Sequence, residues 1–129
     1  MKSYINQDNV NNILNPGNIA PIMYAIGYES LDMVRTLIEL GADVNIKDGN
    51  YGNTPLIAAI LKEQPRPKMV RMLIENSADI NLADNRGNTP FNLIMNDKNP
   101  KQELIDIINK MNLQQNINEV QSPLSLIHI

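Results

Sequence analysis

The sequence predicts an all-α fold built as a solenoid of stacked helix-turn-helix units, and three observations lead there. First, Pro21, Pro55 and Pro90 open similar segments that lie 34 and then 35 residues apart, a spacing that marks repeat architectures. Second, two of those prolines follow a threonine, as Thr54-Pro55 and Thr89-Pro90. A Thr hydroxyl accepts an otherwise unpaired amide hydrogen of a first helical turn, and proline at the next position has no amide hydrogen to leave unpaired. Third, apolar pairs recur at helical spacing in the later half of each unit: Met33, Val34, Leu37, Ile38; then Met69, Val70, Leu73, Ile74; then Leu104, Ile105, Ile108.

The units run over about 17–47, 48–83 and 84–112, between an N-terminal capping segment, 1–16, and a C-terminal helix and tail, 113–129. In the N-terminal segment, Ile5, Val10, Ile13 and Leu14 stand in an Asn-rich background, and a capping helix is expected from about Gln7 to Leu14. The first unit carries Ala20 where the others have Thr, which removes a cap worth about 1 kcal/mol. Its second helix ends at Gly41, a residue able to take the positive φ of a helix terminus. In the second unit Ser77 stands at that place, where the same backbone shape is less favourable. That unit also holds an insertion between its helices, Lys62 to Lys68, containing Pro65 and Pro67; a similar stretch around Pro100 recurs in the third. After the third unit Leu113, Ile117 and Val120 suggest one more helix, stopped by Ser122-Pro123. The apolar run Leu124 to Ile129 then packs on the last unit, meets a partner, or marks an altered reading frame.

Gly52-Asn53-Thr54-Pro55-Leu56-Ile57-Ala58-Ala59, with Gly41-Ala42-Asp43-Val44-Asn45 and its variant Ser77-Ala78-Asp79-Ile80-Asn81, resembles the ankyrin repeat, whose period is about 33 residues. The resemblance covers roughly Asn18 to Met111. It implies small residues at Ala58 and Ala59 for close helix stacking, and short β-hairpin fingers at Asp48 to Gly52 and Asp84 to Gly87. It further implies a non-catalytic module that binds a protein partner through a concave face of finger tips and inner helices. The alternatives are a remnant of a larger ankyrin protein without independent function and an effector exported into a host cell.

Composition narrows the function classes. The chain has 129 residues, a formal net charge of −3 and 11 basic residues that are scattered along it. Phosphate backbones and anionic lipid surfaces are held by clustered Lys and Arg, so neither nucleic acid nor membrane is an expected partner. A polar run follows Met1, no apolar stretch approaches membrane-spanning length, and Cys is absent. A cytoplasmic monomer is therefore expected, with export the variant.

The chemistry of catalysis is thin. With no Cys and a single His128 near the end, catalytic triads and His-based metal sites are not expected. No catalytic residue, cofactor or metal site is expected. Asp43, Asp79 and Asp84 recur with the unit and read as turn-bonding carboxylates. Gly49 to Asn53 lacks the Lys-Ser or Lys-Thr of a phosphate loop. Carried over from the resemblance, the positions free of the repeat pattern are Asn50, Tyr51 and Asn53 in one finger and Asn85, Arg86 and Asn88 in the next. Leu61, Lys62, Asn96 and Asp97 follow at helix ends, and Tyr28 holds the equivalent place in the first unit. Tyr and Arg are enriched among interface hot spots, which favours Tyr28, Tyr51 and Arg86 as anchors. Met23, Met33, Met69, Met72 and Met95 read as core filling.

Overall fold

The computed structural model describes residues 5–11 and 19–120, with side chains up to residue 112. Six helices follow in order: α1 (Pro21–Gly27), α2 (Leu31–Glu39), α3 (Pro55–Ile60), α4 (Pro67–Glu75), α5 (Pro90–Met95) and α6 (Gln102–Val120). They pair as α1 with α2, α3 with α4 and α5 with α6, and the inner helices stack α1 on α3 on α5, while α6 also packs on α4.

Local chemistry sets the helix ends. The Thr54 and Thr89 hydroxyls accept the amide hydrogens of Ile57 and Asn92, both at 3.2 Å, with proline at the first helical position. Ala20 makes no such bond, as the missing hydroxyl requires. Helices α1, α2 and α4 close with a residue in the left-handed region: Glu29 at φ 57°, Gly41 at φ 97° and Ser77 at φ 77°. At each, two successive amides turn back onto the last turn; Ser77 and Ala78, for instance, donate to Ile74 and Leu73. Pro67 opens α4 two residues ahead of its apolar stripe.

One core runs through the stack. Ile22, Ile26, Val34, Leu56, Ile57, Val70 and Leu73 are fully or almost fully buried, and Leu104, Ile107 and Ile108 of α6 continue the same cluster. At roughly 25 cal/mol per Å² of apolar surface removed from water, these contacts between neighbouring units hold together helices of six to nine residues, which are too short to persist alone.

Three features differ from the expectations. Residues 7–11 form turns, and the remainder of the expected N-terminal helix lies outside the described residues. The segment behaves as the closing loop of a repeat: Val10 is buried like Val44 and Ile80. The Asn11 Oδ1 accepts the Asp43 amide at 2.7 Å, as the Asn45 Oδ1 accepts that of Asp79 at 2.7 Å. Second, the fingers are turns, with no strand among the described residues, because Asp48 and Asp84 take the amide hydrogens that a hairpin ladder would use. Third, α6 runs unbroken from Gln102 to Val120. Asn112 stands in it where Gly41 and Ser77 end the equivalent helices, so the helix expected after residue 112 is continuous with the one before it.

Candidate functional site

The fingers are built by their first aspartate. The Asp48 Oδ1 accepts from the amides of Asn50, Tyr51 and Gly52 at 3.0, 2.8 and 2.9 Å, and the Asp48 amide donates to the Asn53 carbonyl at 3.0 Å. The Asp84 Oδ1 accepts from Arg86 at 2.8 Å and Asn88 at 2.9 Å, and its other oxygen accepts from the Asn88 side chain at 3.3 Å. The Asn88 amide, foremost, stabilises the Asp84 carboxylate and holds its pKa below the usual value. Asp43 and Asp79 likewise accept from Asn45 and Asn81, both at 2.9 Å. All four carboxylates are therefore occupied by turn amides, as their recurrence with the unit suggested.

The two fingers are tied to each other. The Asn85 amide donates to the Tyr51 carbonyl at 2.9 Å. Gly52, at φ 69°, lets the chains approach this closely, since a Cβ there would collide with the Asn85 side chain and lie 3.1 Å from its backbone nitrogen.

Two grooves open beside this junction. One, of about 440 Å³, is lined by Asn50, Tyr51, Asn53, Leu61, Asp84, Asn85, Arg86, Asn88 and Leu93. The other, of about 430 Å³, is lined by Ile60, Leu61, Lys62, Glu63, Pro65, Leu93, Ile94, Asn96, Asp97, Lys101 and Leu104. Leu61 and Leu93 belong to both, so an apolar floor joins them into one surface along α3 and α5. Of the eleven positions expected to be free for binding, Asn50, Tyr51, Asn53, Leu61, Asn85, Arg86 and Asn88 surround the first groove, and Lys62, Asn96 and Asp97 the second. Tyr51 and Leu61 are largely exposed.

Tyr28 lies apart, lining neither groove. Among the described residues it is the most exposed large apolar one at 73%, and its ring stacks on Tyr24 with centroids 6.4 Å apart and planes 16° from parallel. Lys62 has an internal partner, its ammonium donating to the Gly27 carbonyl at 2.8 Å, and Arg66 donates to the Glu29 carbonyl at 2.8 Å. The insertion between α3 and α4 thus caps the C-terminus of α1, where cations are favoured. Sequence reasoning passed over Leu93 and Arg66. Leu93 sits at the place of Ala58, and its larger side chain at a small-residue position was the available signal. Arg66 gave none, because its partner is 37 residues away.

Among the described residues no group of three or more His, Cys, Asp or Glu is placed to hold a metal ion, and no helix is long and apolar enough to cross a membrane. A family model described as ankyrin repeats (3 copies) matches residues 1–84. The chain belongs to the ankyrin-repeat family. No curated protein matches it. The matched span takes in the repeat-like loop at residues 7–11 and ends at the second finger; the third Thr-Pro unit lies beyond it and packs on the second. Ankyrin repeats generally serve as protein-interaction modules and are typically non-enzymatic.

Proposed function

We propose that this ankyrin array binds a protein partner along the inner surface between its second and third repeats, without catalysis. The observation that supports the reading is the shared floor of Leu61 and Leu93, bordered by nine more of the eleven positions that the repeat pattern leaves free. Such a surface combines apolar area with amide and charged groups at its border, the composition of a protein interface with an apolar centre and a polar rim. Tyr51 and Arg86 are its anchors. Both are exposed, so replacing them removes contact area without opening the core. Tyr28 is a separate contact on the first repeat.

A capture experiment tests this. Immobilised chain and the Tyr51→Ala, Arg86→Ala double variant are compared for partners retained from cell extract, with circular dichroism as the folding control. Loss of a retained band with helicity unchanged supports the reading; equal retention by both proteins overturns the assignment of these anchors.

A further inference from the structure

The clefts between successive repeats are built to one plan and finished differently. Between the first and second repeats, Ile26, Glu29, Ala59, Lys62, Arg66 and Met69 enclose only about 10 Å³, about the least that one water needs. Lys62 and Arg66 close this cleft through their bonds to the Gly27 and Glu29 carbonyls, both at 2.8 Å. With Pro21, Pro55 and Pro90 in register, the counterparts of the six lining residues are Ile60, Glu63, Ile94, Asp97, Lys101 and Leu104. All six line the second groove, which is open to about 430 Å³.

The difference lies in the donors. Asp97 stands where Lys62 stands one repeat earlier, and a carboxylate cannot donate to the Leu61 carbonyl, the counterpart of that of Gly27. Lys101 takes the place of Arg66 without bonding the Glu63 carbonyl. Among the described residues no donor reaches either carbonyl, and neither Glu63 nor Asp97 has an ion pair. Asp97 Oδ1 accepts the Asn99 amide at 3.1 Å, which leaves its other oxygen without a partner among the described residues. The end of α1 is closed by the Glu29 and Ser30 amides as well as by Lys62, whereas at the end of α3 only the Leu61 amide turns back, onto Ile57. The end of α3 therefore brings unpaired carbonyls to a groove flanked by two exposed carboxylates.

We propose that a basic side chain of the bound protein, arginine foremost, fills this groove and does for α3 what Lys62 and Arg66 do for α1. The inference rests on the reading of the inner surface as a protein-binding site. A guanidinium carries its donors in a planar fork, which suits the Leu61 carbonyl together with the Glu63 and Asp97 carboxylates. The methylene stem of such a side chain packs on apolar surface while its charged head stays among polar groups, and Ile60, Leu93 and Leu104 supply that surface here. An acidic segment would instead meet two carboxylates, and an apolar one would leave the carbonyls unpaired.

The test is a selection of random dodecapeptides from a display library on the immobilised full chain. Leu61→Ala, which trims the shared floor without adding charge, identifies the peptides that bind there. These are expected to share an Arg or Lys next to an apolar residue. Replacing that cation by Gln, or using the Asp97→Lys chain, which carries an ammonium where Lys62 carries one, should each weaken binding at least tenfold, while Lys101→Met should not weaken it. Floor-binding peptides with no shared cation, equal binding to the Asp97→Lys chain, or a tenfold loss with Lys101→Met overturn the inference and leave the protein-binding reading in place; no peptide sensitive to Leu61→Ala overturns both. Without any peptide, Asp97→Lys should melt about 3 °C above Asp97→Ala, because its ammonium reaches the end of α3; an equal or lower Tm also overturns the inference.

Discussion

The second and third repeats share a Thr-Pro cap, an aspartate-built finger and a Pro-bearing insertion, yet one is enclosed and the other has an open side. Leu56 and Ile60 are buried between neighbours, while their counterparts Phe91 and Met95 meet solvent on the face that no described repeat covers. The inner helices of the two units, α3 and α5, are equally short. What distinguishes them is the interface, as expected of an array whose stability is a sum of unit and nearest-neighbour terms. The third repeat is held by its contacts with α3 and α4 on one side alone among the described residues.

Equivalent truncations give the sharpest break in this comparison. Ile60→Ala should cost about 3 kcal/mol through lost burial and the cavity left behind, and Met95→Ala about 1 kcal/mol, as measured by urea denaturation. A Met95→Ala cost equal to that of Ile60→Ala would mean that the third repeat is enclosed as fully as the second. Next in size, Gly52→Ala should cost about 2 kcal/mol, because its positive φ disfavours any L side chain and the new Cβ would push Asn85 off the Tyr51 carbonyl. The same change at Gly41, where a Cβ meets nothing, should cost about 1 kcal/mol from backbone strain alone. Equal costs would show that the tie between fingers contributes nothing.

A smaller effect concerns the first repeat. Ala20→Thr places the missing hydroxyl where Thr54 and Thr89 carry theirs, and should raise stability by about 1 kcal/mol, seen as a Tm rise of about 3 °C. No rise would show that the first repeat cannot use a cap. The smallest effect is that of pH on the second finger. The Asp84 pKa is lowered in the folded chain, so its contribution is present above the unfolded value of about 3.9 and is lost as pH falls through the folded one. Asp84→Asn should therefore make the decline in Tm below about pH 4 shallower, while an unchanged acid profile would remove Asp84 as a contributor.

Much of this architecture was legible because its determinants are local. Thr54-Pro55 and Thr89-Pro90 each start a helix within the residues that specify it, and Asp48 and Asp84 close turns with amides two to four residues on. The positions around the grooves were legible only through the family pattern, which says where repeats leave side chains free. Long-range features were not. Lys62 and Arg66 reach carbonyls 35 and 37 residues away, and Glu29 adopts a left-handed backbone that its residue type does not announce. The turn at residues 7–11 was hidden by the helical spacing of Ile5, Val10, Ile13 and Leu14, although Asn9-Val10-Asn11 matches Asp43-Val44-Asn45 in all but its first residue. The unbroken course of α6 depends on Asn112 continuing a helix where glycine would have ended it.

Leu61 offers the most direct test of the binding surface, because it belongs to both grooves and is 53% exposed. Leu61→Glu puts a charge on the shared apolar floor while leaving the core intact, so retention of the captured partner should fall at least about tenfold, a loss of about 1.4 kcal/mol, with Tm unchanged. Full retention by a folded Leu61→Glu chain would contradict binding between the second and third repeats.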